Sequence, residues 1–181
     1  MVNITIFTGP MKSGKSEALL SLYNKYRIAE KHILLIKPKL DNRTPGYIAS
    51  RNNKSVIANE IETIEEIVEL IGKNKVDAIF IDEFQFLKGD VSKLLDIASK
   101  NIEIFIAGLN LTAERQPFGL MDKVMCFATK VVFFTAICEE CKQEAQYTYC
   151  KVAKDNDILV GDSCYEPVCE KCYEKLNSKD M

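Results

Sequence analysis

The chain has no tryptophan and one histidine among its 181 residues. That histidine, His32, stands before an apolar run with no partner near it in sequence, so a surface or strand-start position is expected. Any chemistry must then proceed without a catalytic histidine unless His32 supplies it. No apolar stretch approaches the roughly 20 residues that a membrane-crossing helix needs. Charge of either sign is not in excess: 24 basic residues face 26 acidic ones, for a net of -2. Nucleic-acid binders usually carry a basic surplus, so that class is disfavoured. The first residues, MVNITIFTG, offer neither a charged leader region nor a cleavage site. The expectation is a cytoplasmic protein with no membrane and no nucleic-acid partner.

Apolar residues make up 47% of the chain, enough for a real core and too many for disorder. The length suits one domain with a small appendage. Short apolar runs, VNITIFT (2–8), HILLIKP (32–38), VDAIFID (76–82) and IEIFIAGL (102–109), read as buried strands. Between them lie helical patterns. Leu19, Leu22, Tyr23 and Tyr26 share one helix face, Ile64, Ile67, Val68 and Ile71 another, and Val91, Leu94, Leu95 and Ala98 a third. Alternating strands and helices predict an α/β fold with a parallel sheet. Residues 39–55 are polar and read as a long loop, a length usually kept for lids or binding segments. KVVFFTAIC (130–138) reads as a further strand, after which the chain turns cysteine-rich. The division expected is 1–136 as a core and 137–181 as a small lobe, ending in a frayed polar tail, EKLNSKDM.

The segment FTGPMKSGKS carries Gly9-x-x-x-x-Gly14-Lys15-Ser16, between a strand and a helix. Glycines at the two ends permit backbone turns that point several N–H groups at one phosphate. The helix that follows adds its positive end. Lys15 is placed to reach the β- and γ-phosphates of a nucleotide, and Ser16 to hold Mg²⁺. The matching acidic residue ends a neighbouring buried strand: AIFIDE runs into Asp82 and Glu83. Asp82 is the expected second magnesium residue, through water. Successive strand residues face opposite ways, which leaves Glu83 for the nucleophile. Deprotonating water would make an ATPase; deprotonating a substrate hydroxyl would make a kinase. The two acids alone do not decide.

Seven cysteines are many for a reducing compartment. Four form the pairs Cys138-x-x-Cys141 and Cys169-x-x-Cys172. Two such knuckles make a closed tetrahedral Cys₄ site, which suits structural zinc. Cys126, Cys150 and Cys164 read as small buried hydrophobes.

Together the stretches GPMKSGKS, LDNR (40–43), IDEFQF (81–86), GLN…QPFG (108–119), TAICEEC (135–141) and YEPVCEKCY (165–173) resemble the zinc-containing (type II) thymidine kinase family through nearly the whole chain. The resemblance implies a RecA-like P-loop core with a zinc lobe, usually a homotetramer, that transfers the γ-phosphate of ATP to the 5′-hydroxyl of thymidine, or of deoxyuridine. It places Gly9, Pro10, Met11, Lys12, Ser13, Gly14, Lys15 and Ser16 around ATP, with Asp82 and Asp41 near the metal and Gln85 as a phosphate contact. Glu83 falls on the catalytic base and Arg43 on the transition-state arginine. Met11, Phe86, Leu109 and Phe118 fall on the nucleoside pocket, Thr148 near the thymine methyl, Tyr165 on the sugar, and Ile158, Leu159, Val160 and Gly161 on a segment that reads the base through its backbone. From composition alone, Phe86 and Phe118 would be core residues. The sequence departs from the family at Phe84, often small or aliphatic; at Asn110, commonly Asp; at Cys164, commonly polar; and at Ala113, usually a Phe that stacks on the base. The last change predicts base binding weaker by about 1–3 kcal/mol. The competing reading is a regulatory ATPase whose zinc lobe holds a partner. It has no use for Arg43 or the pocket aromatics, and its lobe would want a basic stripe. Lys142, Lys151, Lys154 and Lys171 are outnumbered by acidic neighbours there.

Overall fold

The computed structural model describes residues 2–49, 55–72, 74–152 and 164–178. In chain order the core runs β1 (Ile4–Thr8), α1 (Lys15–Ile28), β2 (Ile33–Pro38), β3 (Tyr47–Ala49), β4 (Ser55–Ile57), β5 (Asn59–Ile61), α2 (Ile64–Gly72), β6 (Ala78–Ile81), α3 (Ser92–Ala98), β7 (Glu103–Gly108), α4 (Met121–Met125) and β8 (Lys130–Phe133). The lobe adds β9 (Ala136–Ile137), β10 (Glu144–Ala145), β11 (Tyr147–Cys150), β12 (Tyr165–Val168) and α5 (Glu170–Asn177). Among the described residues no helix is long and apolar enough to cross a membrane.

The central sheet has six strands in the order β5-β2-β6-β7-β1-β8, and every pairing is parallel. Alternation along each strand feeds two cores. Ile79 and Ile81 of β6, with Ile104 and Ile106 of β7, pack under α2, α3 and α4. Ala78, Phe80, Phe105 and Ala107 of the same strands pack under Leu19 and Leu20 of α1. Both faces are therefore covered, which is why these strands read as continuous apolar runs. In parallel α/β sheets, sites form beyond the strands' carboxyl ends. Here the segments leaving β1, β2, β6 and β7 meet there.

Three expectations change. Residues 39–55 are not all loop, since β3 and β4 pair antiparallel as a small hairpin. The predicted strand 130–138 divides in two. Phe134 N–H bonds to Thr8 O at 2.7 Å, closing the parallel pairing with β1, and β9 then turns to pair with β10. The tail is helical as far as Asn177, because α5 packs Tyr173 and Leu176 against the lobe's own small core. The β5 strand, too short to show in sequence, was missed.

Phe80 has no solvent exposure, stacks on Phe105 at 4.7 Å and receives the edges of Tyr23 and Tyr26. Phe80→Ala should lower stability by about 3–5 kcal/mol in urea denaturation. A loss under about 1 kcal/mol would mean that this aromatic core is not closely packed.

Candidate active site

The phosphate-binding loop leaves β1 and ends at α1. Three of its residues hold left-handed or related backbone: Gly9 at φ 139, Lys12 at φ 62 and Gly14 at φ 87. Gly9 has no alternative, since a Cβ there would run into the Phe134 carbonyl. Lys15 is buried at 8% exposure, and its Nζ donates to the Pro10 carbonyl at 2.6 Å and to Ser13 Oγ at 3.3 Å. It spans the mouth of the loop.

Ser16 and Asp82 meet as expected: Ser16 Oγ donates to Asp82 Oδ1 at 3.0 Å. Asp82 is 5% exposed. Burial first, and the Glu83 carboxylate second, push its carboxyl up to about 7. A cation shared between Ser16 and Asp82 would reverse that preference, so a hydroxyl beside a buried carboxylate fits a hard, oxygen-seeking ion.

Glu83 is not the next residue of a strand, as alternation implied. Strand β6 stops at Ile81, and Glu83 adopts φ 50 before a single 3₁₀ turn, Phe84–Phe86. That turn, not strand alternation, aims Glu83 away from Asp82. Both Glu83 oxygens are engaged: Arg43 NH2 donates to Oε1 at 2.5 Å and Gln85 Nε2 to Oε2 at 2.6 Å. Gln85 is fixed in turn by Leu109 N–H, which donates to its Oε1 at 3.0 Å. Arg43 Nε donates to Asp41 Oδ1 at 2.6 Å. Burial works against the Arg43 charge, and Glu83 and Asp41 more than offset it, so its pKa rises. Burial likewise opposes the Asp41 charge, and Arg43 and Lys37 hold its carboxyl below the usual range. Lys37, which completes this set, was not picked out from sequence. The available signal was a lysine inside the apolar run ILLIKP.

Phe86 and Phe118 meet edge to face at 5.5 Å and are only half-buried, unlike core aromatics. Met11 and Leu109 are half-buried too. Phe84 is fully buried in the main core, so that departure concerns packing and not the site. Thr148, buried at 7% exposure, accepts the Met11 N–H at 3.0 Å. Tyr165 is half-buried at the start of β12. Ile158, Leu159, Val160 and Gly161 lie outside the described residues.

The four cysteines converge as predicted. The sulfurs of Cys138, Cys141, Cys169 and Cys172 lie within 4.8 Å of one another. Burial alone would push the Cys138 thiol up, but the N–H groups of Cys141, Cys169 and Glu140 outweigh it and bring it down to about 6. Burial and its sulfur neighbours push Cys172 up to about 12. Four thiolates this close need a cation, and the all-sulfur donor set fits structural zinc. Cys126 corrects an expectation: it is exposed, because α4 turns it outward.

The lobe is fastened to the core at the loop itself. Besides the Met11–Thr148 bond, Lys12 pairs with Glu139 at 3.3 Å. Arg115, another residue missed in sequence, lies between two tyrosine rings, 4.1 Å from the Tyr147 centroid and 3.8 Å from that of Tyr173, and pairs with Glu170 at 2.8 Å. Tyr173 donates its hydroxyl to the Ala113 carbonyl at 2.6 Å. The Ala113 position therefore touches the lobe through its backbone.

The sequence is similar to known proteins along nearly its whole length. The sequence model for thymidine kinase matches residues 2–173. The thymidine kinase of Pseudothermotoga lettingae is 34% identical, over 98% of this chain and 97% of its own. That of Mycoplasma mobile is 34% identical over 94% and 86%, and that of Bacteroides fragilis 30% over 98% and 89%.

Elemental analysis of protein purified without chelators should find about one zinc per chain, and Cys138→Ser should remove it. A metal-free wild type would defeat the Cys₄ reading.

Proposed function

The chain belongs to the thymidine kinase family of ATP-dependent nucleoside kinases, and on that premise we propose that it transfers the γ-phosphate of ATP to the 5′-hydroxyl of thymidine, with Glu83 as general base. The observation that carries the reading is the Arg43–Glu83–Gln85 cluster beside the Ser16–Asp82 pair. An arginine beside the base would serve hydrolysis as well; what hydrolysis has no use for is the half-buried Phe86–Phe118 pair that follows Gln85 in the chain.

In this reading residues 9–16 wrap the phosphates and Lys15 leaves the Pro10 carbonyl to neutralise the β- and γ-oxygens. Ser16 and Asp82 would hold a Mg²⁺ ion, which would supply further charge neutralisation. The thymidine ring rests between Phe86, Phe118, Leu109 and Met11, with Thr148 and Tyr165 at its edges. Glu83 takes the 5′-hydroxyl proton as the oxygen bonds to the γ-phosphorus and the bond to the β-phosphate oxygen breaks, releasing ADP. A carboxylate has about four lone-pair sites, so Glu83 can keep both present contacts while accepting that proton. Arg43, on the same carboxylate, is within a short swing of the charge that builds on the transferred group. The cluster Asp41, Gln85 and Arg43 needs little rearrangement, which suits a reaction dominated by positioning. The proposal includes the division into a P-loop core (1–136) and a zinc lobe (137–181), a homotetrameric assembly and a cytoplasmic location.

The test is transfer of labelled γ-phosphate from Mg-ATP to thymidine, deoxyuridine and deoxycytidine, with a nucleoside-free control. Thymidine 5′-phosphate with little free phosphate is expected. Glu83→Gln should lower that rate about 10²–10⁴-fold while ATP still binds. Equal phosphate release with and without nucleoside would reassign the site to water.

A further inference from the structure

Lys37 heads the largest side chains with no solvent exposure among the described residues, and it is charged. It sits near the end of β2, beneath the segment that leads to β3. Its Nζ lies 2.8 Å from the Thr44 carbonyl, 3.1 Å from the Tyr47 carbonyl and 3.2 Å from Asp41 Oδ2. An ammonium has three donors, and these acceptors take all of them. A buried ammonium is costly unless fully answered, and an apolar residue here would in turn leave Asp41 Oδ2 and the Thr44 and Tyr47 carbonyls without their donor. The charge must therefore serve something its apolar replacement would not.

All three acceptors belong to residues 41–47, the stretch that carries Arg43. Asp41 divides its carboxylate, one oxygen to Lys37 and the other to Arg43 Nε. Arg43 passes the contact on to Glu83. The charges alternate along the row: Lys37, Asp41, Arg43, Glu83. Arginine otherwise pivots on a long flexible stem, and here the far side of its carboxylate partner is nailed to the sheet from below.

We propose that Lys37 is a positioning residue for phosphoryl transfer: it holds Asp41 and the backbone of residues 44–47 so that the Arg43 guanidinium is presented at Glu83. Lys37 itself touches neither substrate nor Glu83. The inference rests on the kinase reading above.

The test compares wild type with Lys37→Met, Arg43→Ala and the double variant, reading kcat and KM for ATP and thymidine. Lys37→Met should lower kcat about 10–100-fold with either KM moving less than about threefold. Arg43→Ala should lose about 10³-fold or more. The double variant should be no worse than Arg43→Ala, because Lys37 acts only through Arg43. Losses that multiply, or a KM rise at unchanged kcat, would overturn the proposal. A second readout needs no turnover: tryptic cleavage after Arg43, followed by mass spectrometry, should speed up at least about tenfold in Lys37→Met as the segment loosens. An unchanged cleavage rate would overturn the proposal. A wild type that makes no thymidine phosphate would sink the kinase reading alone, while the cleavage comparison still decides for or against Lys37 as the anchor. Should Lys37→Met fail to fold, Asp41→Asn enters the same cycle, with the same loss expected in wild type and none beyond Arg43→Ala. Any additional loss would overturn the proposal.

Discussion

Two carboxylates cannot sit side by side at the end of a buried strand unless something answers both charges. Asp82 and Glu83 pose that problem, and the surrounding structure is arranged around its answer. Asp82 is buried and receives a hydroxyl from Ser16 and the N–H of Glu83. Its raised pKa marks a charge that those two donors do not fully satisfy. Glu83 is turned aside by its own left-handed backbone and given to Arg43 and Gln85. Repulsion between the acids is thus converted into a division of labour: one faces the phosphate loop, the other faces the arginine. The division depends on the 3₁₀ turn, and the turn is held by Phe84, buried in the core, while Glu83 stays half-buried and the buried Gln85 reaches its carboxylate.

Parallel strand order supplies the rest of the geometry. Because β1, β2, β6 and β7 all run one way, four loops distant in sequence emerge at one rim. Ser16 comes from the first, Lys37, Asp41 and Arg43 from the second, Asp82, Glu83 and Gln85 from the third, and Leu109 from the fourth. The third loop takes a short contact from each of the other three, in Ser16–Asp82, Arg43–Glu83 and Gln85–Leu109. A shift of β6, which carries that loop, would break all three at once, which ties the precision of the site to the register of the sheet.

The sequence carried the sheet plainly, because strands buried on both faces must be apolar throughout, as ILLI, AIFI and IFIAG are. The phosphate loop and the cysteine knuckles were legible for another reason: each packs its donors into a few consecutive residues, so spacing alone encodes the geometry. What remained hidden depends on distant partners. Arg115 looks like any loop arginine until Tyr147, Tyr173 and Glu170 are brought to it by the fold. Lys37 looks like a strand-end charge until residues 44–47 curl back over it. The turn at Glu83 was invisible because a non-glycine residue at positive φ leaves no compositional mark. Cys126 was misjudged because a five-residue helix can present either face, and its periodicity is too short to choose one.

The zinc lobe acquires meaning from where it is fastened. A distant module could be tethered by any surface, yet two of its contacts land on Met11 and Lys12, inside the phosphate loop. A third lands on the Ala113 carbonyl, in the segment that ends at Phe118. Thr148 and Tyr165 lie on β11 and β12, which pair antiparallel. The cysteine cluster fixes the far ends of this arrangement, since Cys138 precedes β10 and Cys169 follows β12. A metal held by the four cysteines would fix β12, and with it β11 and the Thr148 contact to Met11. The Met11 N–H and the Lys12–Glu139 pair thus tie residues 11 and 12 of the glycine-rich loop to the lobe whose cysteines converge, so order at the sulfur cluster bears directly on that loop.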